Sequence, residues 1–121
     1  MPVSSSSVAL RPLPSGPREQ RLGIYLDSAY AGGLTVHSID RAQGVFSYGI
    51  AIARAMRRRG VAYEAIAQLL VRYAAQGFTR CVVEVYADNE ASLLLHAKLG
   101  FLPVGRFLKD GRETVRLERG I

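Results

Sequence analysis

The chain of 121 residues has no tryptophan, one cysteine, two methionines and two histidines. A single thiol, Cys81, cannot close a disulfide within the chain, so a cross-linked framework is excluded as the source of stability. Two histidines, His37 and His96, with no ligand cluster around either, leave too few donors for a zinc-type site, and no metal is expected. No apolar run approaches the roughly 20 residues needed to cross a bilayer, so no membrane partner is expected. The opening MPVSSSSVALRPLPSG lacks a basic segment followed by an apolar core. No secretory signal is read there, and a cytoplasmic location is expected. Acidic residues are scarce as well: ten Asp+Glu stand against sixteen Lys+Arg, a net charge of +6.

What is present suffices for one domain. Hydrophobic residues make up 49% and charged residues 21%, which rules out a wholly disordered or collagen-like chain. The basic excess favours an anionic partner: nucleic acid, an acidic surface or a phosphorylated small molecule. Part of it is focused, because Arg54, Arg57, Arg58 and Arg59 fall within six positions. No aromatics interleave with the cluster, and no zinc-finger or RNA-binding signature accompanies it, which makes nucleic acid the lesser reading.

Residues 1–20 combine a serine run with Pro12, Pro14, Gly16 and Pro17, a composition that predicts a flexible segment, with an edge strand allowed at 8–13. From Arg21 to the end a single domain is expected. RLGIYLD, GGLTVHSI and GVFSYGIAI are rich in β-branched and aromatic residues, and SAYA and DRAQ between them read as turns, giving an antiparallel meander. Ala62, Ala65, Ile66, Leu69, Leu70 and Tyr73 recur at helical steps, with Gly77 placed to end the helix. TRCVVEVY reads as a buried central strand. Asp88 or Asn89 can cap a second helix, EASLLLHAKL, whose Leu93, Leu94 and Leu95 are expected to pack. Asp110-Gly111 between two alternating segments predicts a tight hairpin.

The chemistry concentrates between the meander and the first helix, in Arg57-Arg58-Arg59-Gly60-Val61-Ala62. The first amides of a helix have no intrahelical partner and carry the positive end of its dipole. Gly60 permits close approach of a ligand, Ala62 keeps the helix shoulder low, and the arginines add charge. Together these make a nest for phosphate oxygens. A solvated basic helix start is the competing reading of so short a pattern.

RRRGVA fits the R/Q-x-x-G-x-G/A motif of the GNAT superfamily of acyl-CoA N-acyltransferases, and VEVYADNEASLLLHAKLGF resembles the strand and helix that follow it there. The resemblance runs from about Arg21 to Leu117 and is closest to the branch of ribosomal-protein and spermidine N-acetyltransferases. It implies an α/β fold, a mixed and mostly antiparallel sheet with two main helices. It also implies acetyl-CoA as co-substrate and transfer of acetyl to a primary amine by direct attack. Ile50, Ala51 and Ile52 would offer backbone groups to pantetheine, in a gap between their strand and Cys81–Tyr86. Arg57, Arg58, Arg59, Gly60, Val61, Ala62 and Tyr63 would hold the pyrophosphate, and Asn89 would touch the cofactor. Glu84 matches a carboxylate that acts as general base in some members. His96 stands where a tyrosine usually protonates the departing thiolate.

Physical chemistry leaves alternatives beside these roles. A carboxylate in the apolar strand around Glu84 must border a cleft or water, or sit in an ion pair. His96, in the last turn of its helix, is expected to be drawn toward its charged form by the dipole, as an acid or as a non-catalytic replacement. Cys81 reads as a small buried hydrophobe. Only PSGPREQ separates Val8–Leu13 from Arg21, too short for the two helices that family members carry there to wall the acceptor site. An exposed sheet face would follow, favouring a homodimer. The alternatives to an active transferase are a CoA-binding or interaction protein that has lost catalysis, and a small basic nucleic-acid-binding module.

Overall fold

The computed structural model describes residues 7–121; the first six, assigned above to the flexible segment, lie outside the described residues. In chain order the elements are β1 (Val8–Leu13), β2 (Gln20–Leu26), β3 (Ala29–Asp40), β4 (Val45–Ile52), a 3-10 turn (Arg54–Met56), α1 (Val61–Ala75), β5 (Arg80–Tyr86), α2 (Glu90–Lys98), β6 (Leu102–Lys109) and β7 (Arg112–Gly120). The strands form one sheet in the order β1-β2-β3-β4-β5-β7-β6. Every neighbouring pair is antiparallel except β4 with β5. This is the mixed, mostly antiparallel α/β architecture with two helices.

Alternation sets which face each strand buries. Leu22, Ile24, Leu34, Val36, Phe46 and Tyr48 are buried, and their neighbours in sequence look the other way. Phe46 stacks on Tyr73 of α1 with ring centroids 4.3 Å apart, and Tyr48, two residues on, meets His96 of α2. Both helices therefore cover the same face of β4. Helix α1 buries Val61, Ala65, Ile66, Leu69, Leu70 and Tyr73. The stripe matches the sequence reading except that Val61, not Ala62, is the first residue in the core. Burying each large apolar side chain of this layer contributes about 1.5–3 kcal/mol.

Two local readings change. The β2–β3 turn is Asp27-Ser28, both at positive φ (49° and 73°), so SAYA is only partly turn and Ala29 already begins β3. Leu93, Leu94 and Leu95 do not all pack: α2 buries His96, whereas Leu94 is 59% exposed. Three successive helical residues span about 200° and cannot share one face.

β1 pairs with β2 along its whole length and contributes Leu10 to the core. Arg72 of α1 donates to the Leu10 carbonyl at 3.0 Å, and Gln68 to that of Val8 at 2.7 Å. The sheet thus runs across the division drawn at residue 20. Residues 14–19 connect β1 to β2 with no helix, and among the described residues none covers the sheet face opposite α1 and α2.

Candidate active site

β4 and β5 pair only at Val45 with Arg80 and Phe46 with Cys81, then part. From there β4 continues to Ile52 alongside β3 alone. The Ala51 carbonyl turns toward Gly32 of β3, and the Ala53 amide donates to Ala31 at 2.7 Å. Backbone groups alternate sides along a strand, so those of Ile50 and Ile52 point into the gap left by β5. Of the three residues read as pantetheine contacts, Ile50 and Ile52 face the gap and Ala51 does not. The Ile52 carbonyl accepts from Arg57 Nε at 3.0 Å, which folds the basic loop back over the end of β4.

The loop then turns through two left-handed residues, Arg58 (φ 65°) and Gly60 (φ 75°), and enters α1. Gly60 is the N-cap and supplies no side chain to close the helix end. Among the described residues, none accepts a hydrogen bond from the amides of Arg58, Arg59, Gly60, Val61, Ala62 or Tyr63; the first amide of this run with a partner is Glu64, bonded to the Gly60 carbonyl at 3.2 Å. Beside these amides lies a cavity of about 420 Å³, walled by Arg57, Arg58 and Gly60–Tyr63 on one side and by Leu94, Leu95 and Lys98 of α2 on the other. Arg59 does not line it. A larger recess of about 640 Å³ adjoins it at Tyr63 and Lys98, but its walls are helix flanks and the end of β7, which offer no such row of free donors. The smaller cavity is the one equipped for an anion.

Glu84 lies on the open face of β5, opposite Cys81, Val83 and Val85. Its carboxylate meets Lys109 Nζ at 3.2 Å and Arg116 Nη2 at 3.1 Å, with about a third of the side chain exposed (33%). Partial burial pushes its pKa up, but the hydrogen bonds and charges of Arg116 and Lys109 outweigh this and hold it below the ordinary carboxylate value. Both sequence alternatives are met at once: the group borders water and is ion-paired.

His96 differs from its expectation. It is 2% exposed, and burial lowers its pKa even though the hydrogen bond to Ser92 acts in the opposite sense. Desolvation overrides the helix dipole, which is worth most at exposed ends. His96 Nδ1 lies 2.8 Å from the Ser92 carbonyl, and Nε2 lies 2.9 Å from the Tyr48 hydroxyl. Phe101 packs edge-on against His96 and Tyr48. Cys81 is buried close by, its thiol pushed up to about 12 by burial, and is inert as a nucleophile. Asn89 caps α2 by accepting from the Ser92 amide at 3.2 Å, and it is not among the residues that line the cavity.

Tyr48, Ser92 and Lys98 were not singled out from the sequence. Lys98 could have been found from its place one helical turn beyond Leu94 and Leu95. Tyr48 carries no local signal, because its partner is 48 residues away.

Residues 4–101 match the model of the acetyltransferase (GNAT) family, and the chain belongs to that family. Its members use acetyl-CoA. The chain is 29% identical over 89 residues to YokL, a prophage-derived uncharacterized N-acetyltransferase of Bacillus subtilis, a match covering 73% of this chain and 50% of that protein. It therefore spans half the length of this curated relative. Among solved structures, RimL, a ribosomal-protein alpha-N-protein acetyltransferase in complex with coenzyme A, superposes with a TM-score of 0.80 at 20% identity, over 86% of this chain and 63% of that one. The spermidine/spermine N-acetyltransferase SpeG of Vibrio cholerae gives a TM-score of 0.77 at 18% identity, over 86% and 66%. These two likenesses show the fold.

Proposed function

We propose that the chain binds acetyl-CoA at the Arg58–Tyr63 loop and transfers its acetyl group to a primary amine: a protein N-terminus, a polyamine or another small amine. The single observation that carries this reading is the run of six partnerless amides at a helix start, five of them on residues that line a cavity, next to the gap between β4 and β5. The diphosphate would lie on those amides, with Arg57 and Arg58 adding charge, and Arg59 screening from outside. Pantetheine would run down the gap along Ile50 and Ile52, and Asn89 would orient the start of α2 beside it. Ala51 would contribute by holding β4 against β3.

The amine attacks from the open face, where no helix covers the sheet. Its nitrogen lone pair forms the C–N bond, and backbone donors of β4 polarise the thioester carbonyl. The adduct nitrogen is a far stronger acid than a free ammonium, so Glu84, or water next to it, suffices to take the proton despite its lowered basicity. Holding thioester and amine together supplies much of the rate, without a covalent intermediate. His96, buried and neutral, supports departure of the sulfur through its hydrogen bonds.

A second reading, CoA binding without transfer, is favoured by one observation, the short 14–19 connection that leaves the acceptor side open. Thermal melting with and without acetyl-CoA, together with thiol release on an amine panel that includes spermidine and a peptide N-terminus, separates the two. Transfer predicts a melting shift and turnover; binding alone predicts the shift without turnover. Ala62→Glu tests the loop itself. An acidic residue in the first turn suits the empty helix, so the unliganded protein should melt no lower, yet the shift with CoA should vanish. A full CoA shift in Ala62→Glu would refute the site.

A further inference from the structure

An amine that approaches the gap between β4 and β5 from the open face meets two unlike flanks. On β4 that face carries Ser47, Gly49 and Ala51, by alternation with the buried Phe46 and Tyr48. None is charged, and a Cβ on Gly49 would meet nothing within 4 Å. On the other flank Glu84 stands three residues past Cys81, where β5 has left β4. Arg116 of β7 is its direct cross-strand partner, and Lys109 reaches it from the end of β6.

These two neighbours occupy Glu84 completely. Lys109 Nζ donates to Oε1 and Arg116 Nη2 to Oε2, so neither oxygen is left for an incoming ammonium. Two cations on one carboxylate leave the cluster one positive charge. Among the described residues, neither Lys109 nor Arg116 has another side-chain acceptor, and both side chains are about half exposed (52% and 48%). Their remaining N–H groups are open to a ligand. The Arg116 guanidinium lies 4.9 Å over the Phe107 ring, which holds its planar fork in place. Arg112, on the same face of β7, stacks 3.6 Å over Tyr86 and is neutralised by Asp88, so it does not change the balance.

We propose that Lys109 and Arg116 select the acceptor, an amine that carries a carboxylate near its nitrogen, as a free amino acid or as a peptide N-terminus followed by acidic residues. The proposal rests on the acetyl-transfer reading above and narrows its acceptor, setting polyamines aside. The acceptor's carboxylate takes the open donors of Arg116 and Lys109 while its nitrogen reaches the thioester across Gly49 and Ala51. The positive surround disfavours ammonium, so the amine binds neutral, with a lone pair to attack. Spermidine brings further ammonium groups and meets a carboxylate already paired twice.

Thiol release from acetyl-CoA by the full chain, with glutamate, spermidine and the peptide amides Ala-Asp-Asp and Ala-Lys-Lys, tests this. The kcat/KM for Ala-Asp-Asp should exceed that for Ala-Lys-Lys at least about tenfold, with spermidine at the low end. Turnover of glutamate as well marks a free amino acid as the source; turnover of the acidic peptide without it marks a protein N-terminus. Lys109→Gln and Arg116→Gln should each reduce the ratio severalfold, through the acceptor KM, with the KM for acetyl-CoA unchanged. Both side chains are half exposed, so both variants should melt as the wild type does. Equal rates on the two peptides, or a ratio that neither variant alters, overturns the proposal while acetyl transfer stands. Turnover of none of the four amines, in a chain whose melting still shifts with acetyl-CoA, defeats the transfer reading and this proposal together.

Discussion

The carbonyl oxygen of Ala51 lies 2.1 Å from where a Cβ on Gly32 would stand. Gly32 pairs with Ile52, the last residue of β4, at the mouth of the gap left by β5. The contact is with backbone and cannot be relieved by a side chain moving aside. Absence of a side chain at residue 32 is thus what lets β4 stay on β3 after β5 has parted from it.

Gly32→Ala should consequently destabilise the fold by about 2 kcal/mol and displace the end of β4. Urea unfolding gives the first quantity, and weakened CoA binding beyond the stability loss gives the second. A variant with wild-type stability would show that β4 is held otherwise.

Stability should fall as the medium is acidified, in part through His96. Its folded pKa is depressed by burial, so below the ordinary 6.5 the unfolded chain binds a proton that the folded chain resists. The contribution is whole above that value and is lost as pH falls toward the folded pKa. Urea midpoints between about pH 7.5 and about pH 5 should decline in the wild type and decline less in His96→Leu. Equal slopes would mean that His96 is not the titrating group.

Glu84→Gln should change stability by less than about 1 kcal/mol, because both ion pairs are partly exposed and screened. If Glu84 relays the amine's proton, kcat falls while the KM for acetyl-CoA holds. Full turnover in the variant would leave the proton to water and reduce Glu84 to an ion-pair partner of Lys109 and Arg116.

The elements were legible in the sequence because their signals are local. Alternation marked the meander, the 62–73 stripe marked α1, and Asp110-Gly111 marked the β6–β7 turn, where both residues do take positive φ. The free helix start at Gly60 was legible for the same reason. What the sequence hid depends on distant partners. Glu84 reads as a base or an ion pair until Lys109 and Arg116, 25 and 32 residues on, are brought beside it. His96 reads as a charged helix end until β4 buries it under Tyr48. The parting of β4 from β5 came from family resemblance, since no residue type in either strand announces where pairing stops.

The most direct test of the whole account is a titration of the isotopically labelled chain with CoA, followed by backbone amide NMR. The amides of Arg58 through Tyr63 should show the largest downfield shifts, saturating together with the melting shift, as expected for N–H groups that gain diphosphate oxygens. CoA that binds while these six amides stay unmoved would contradict it.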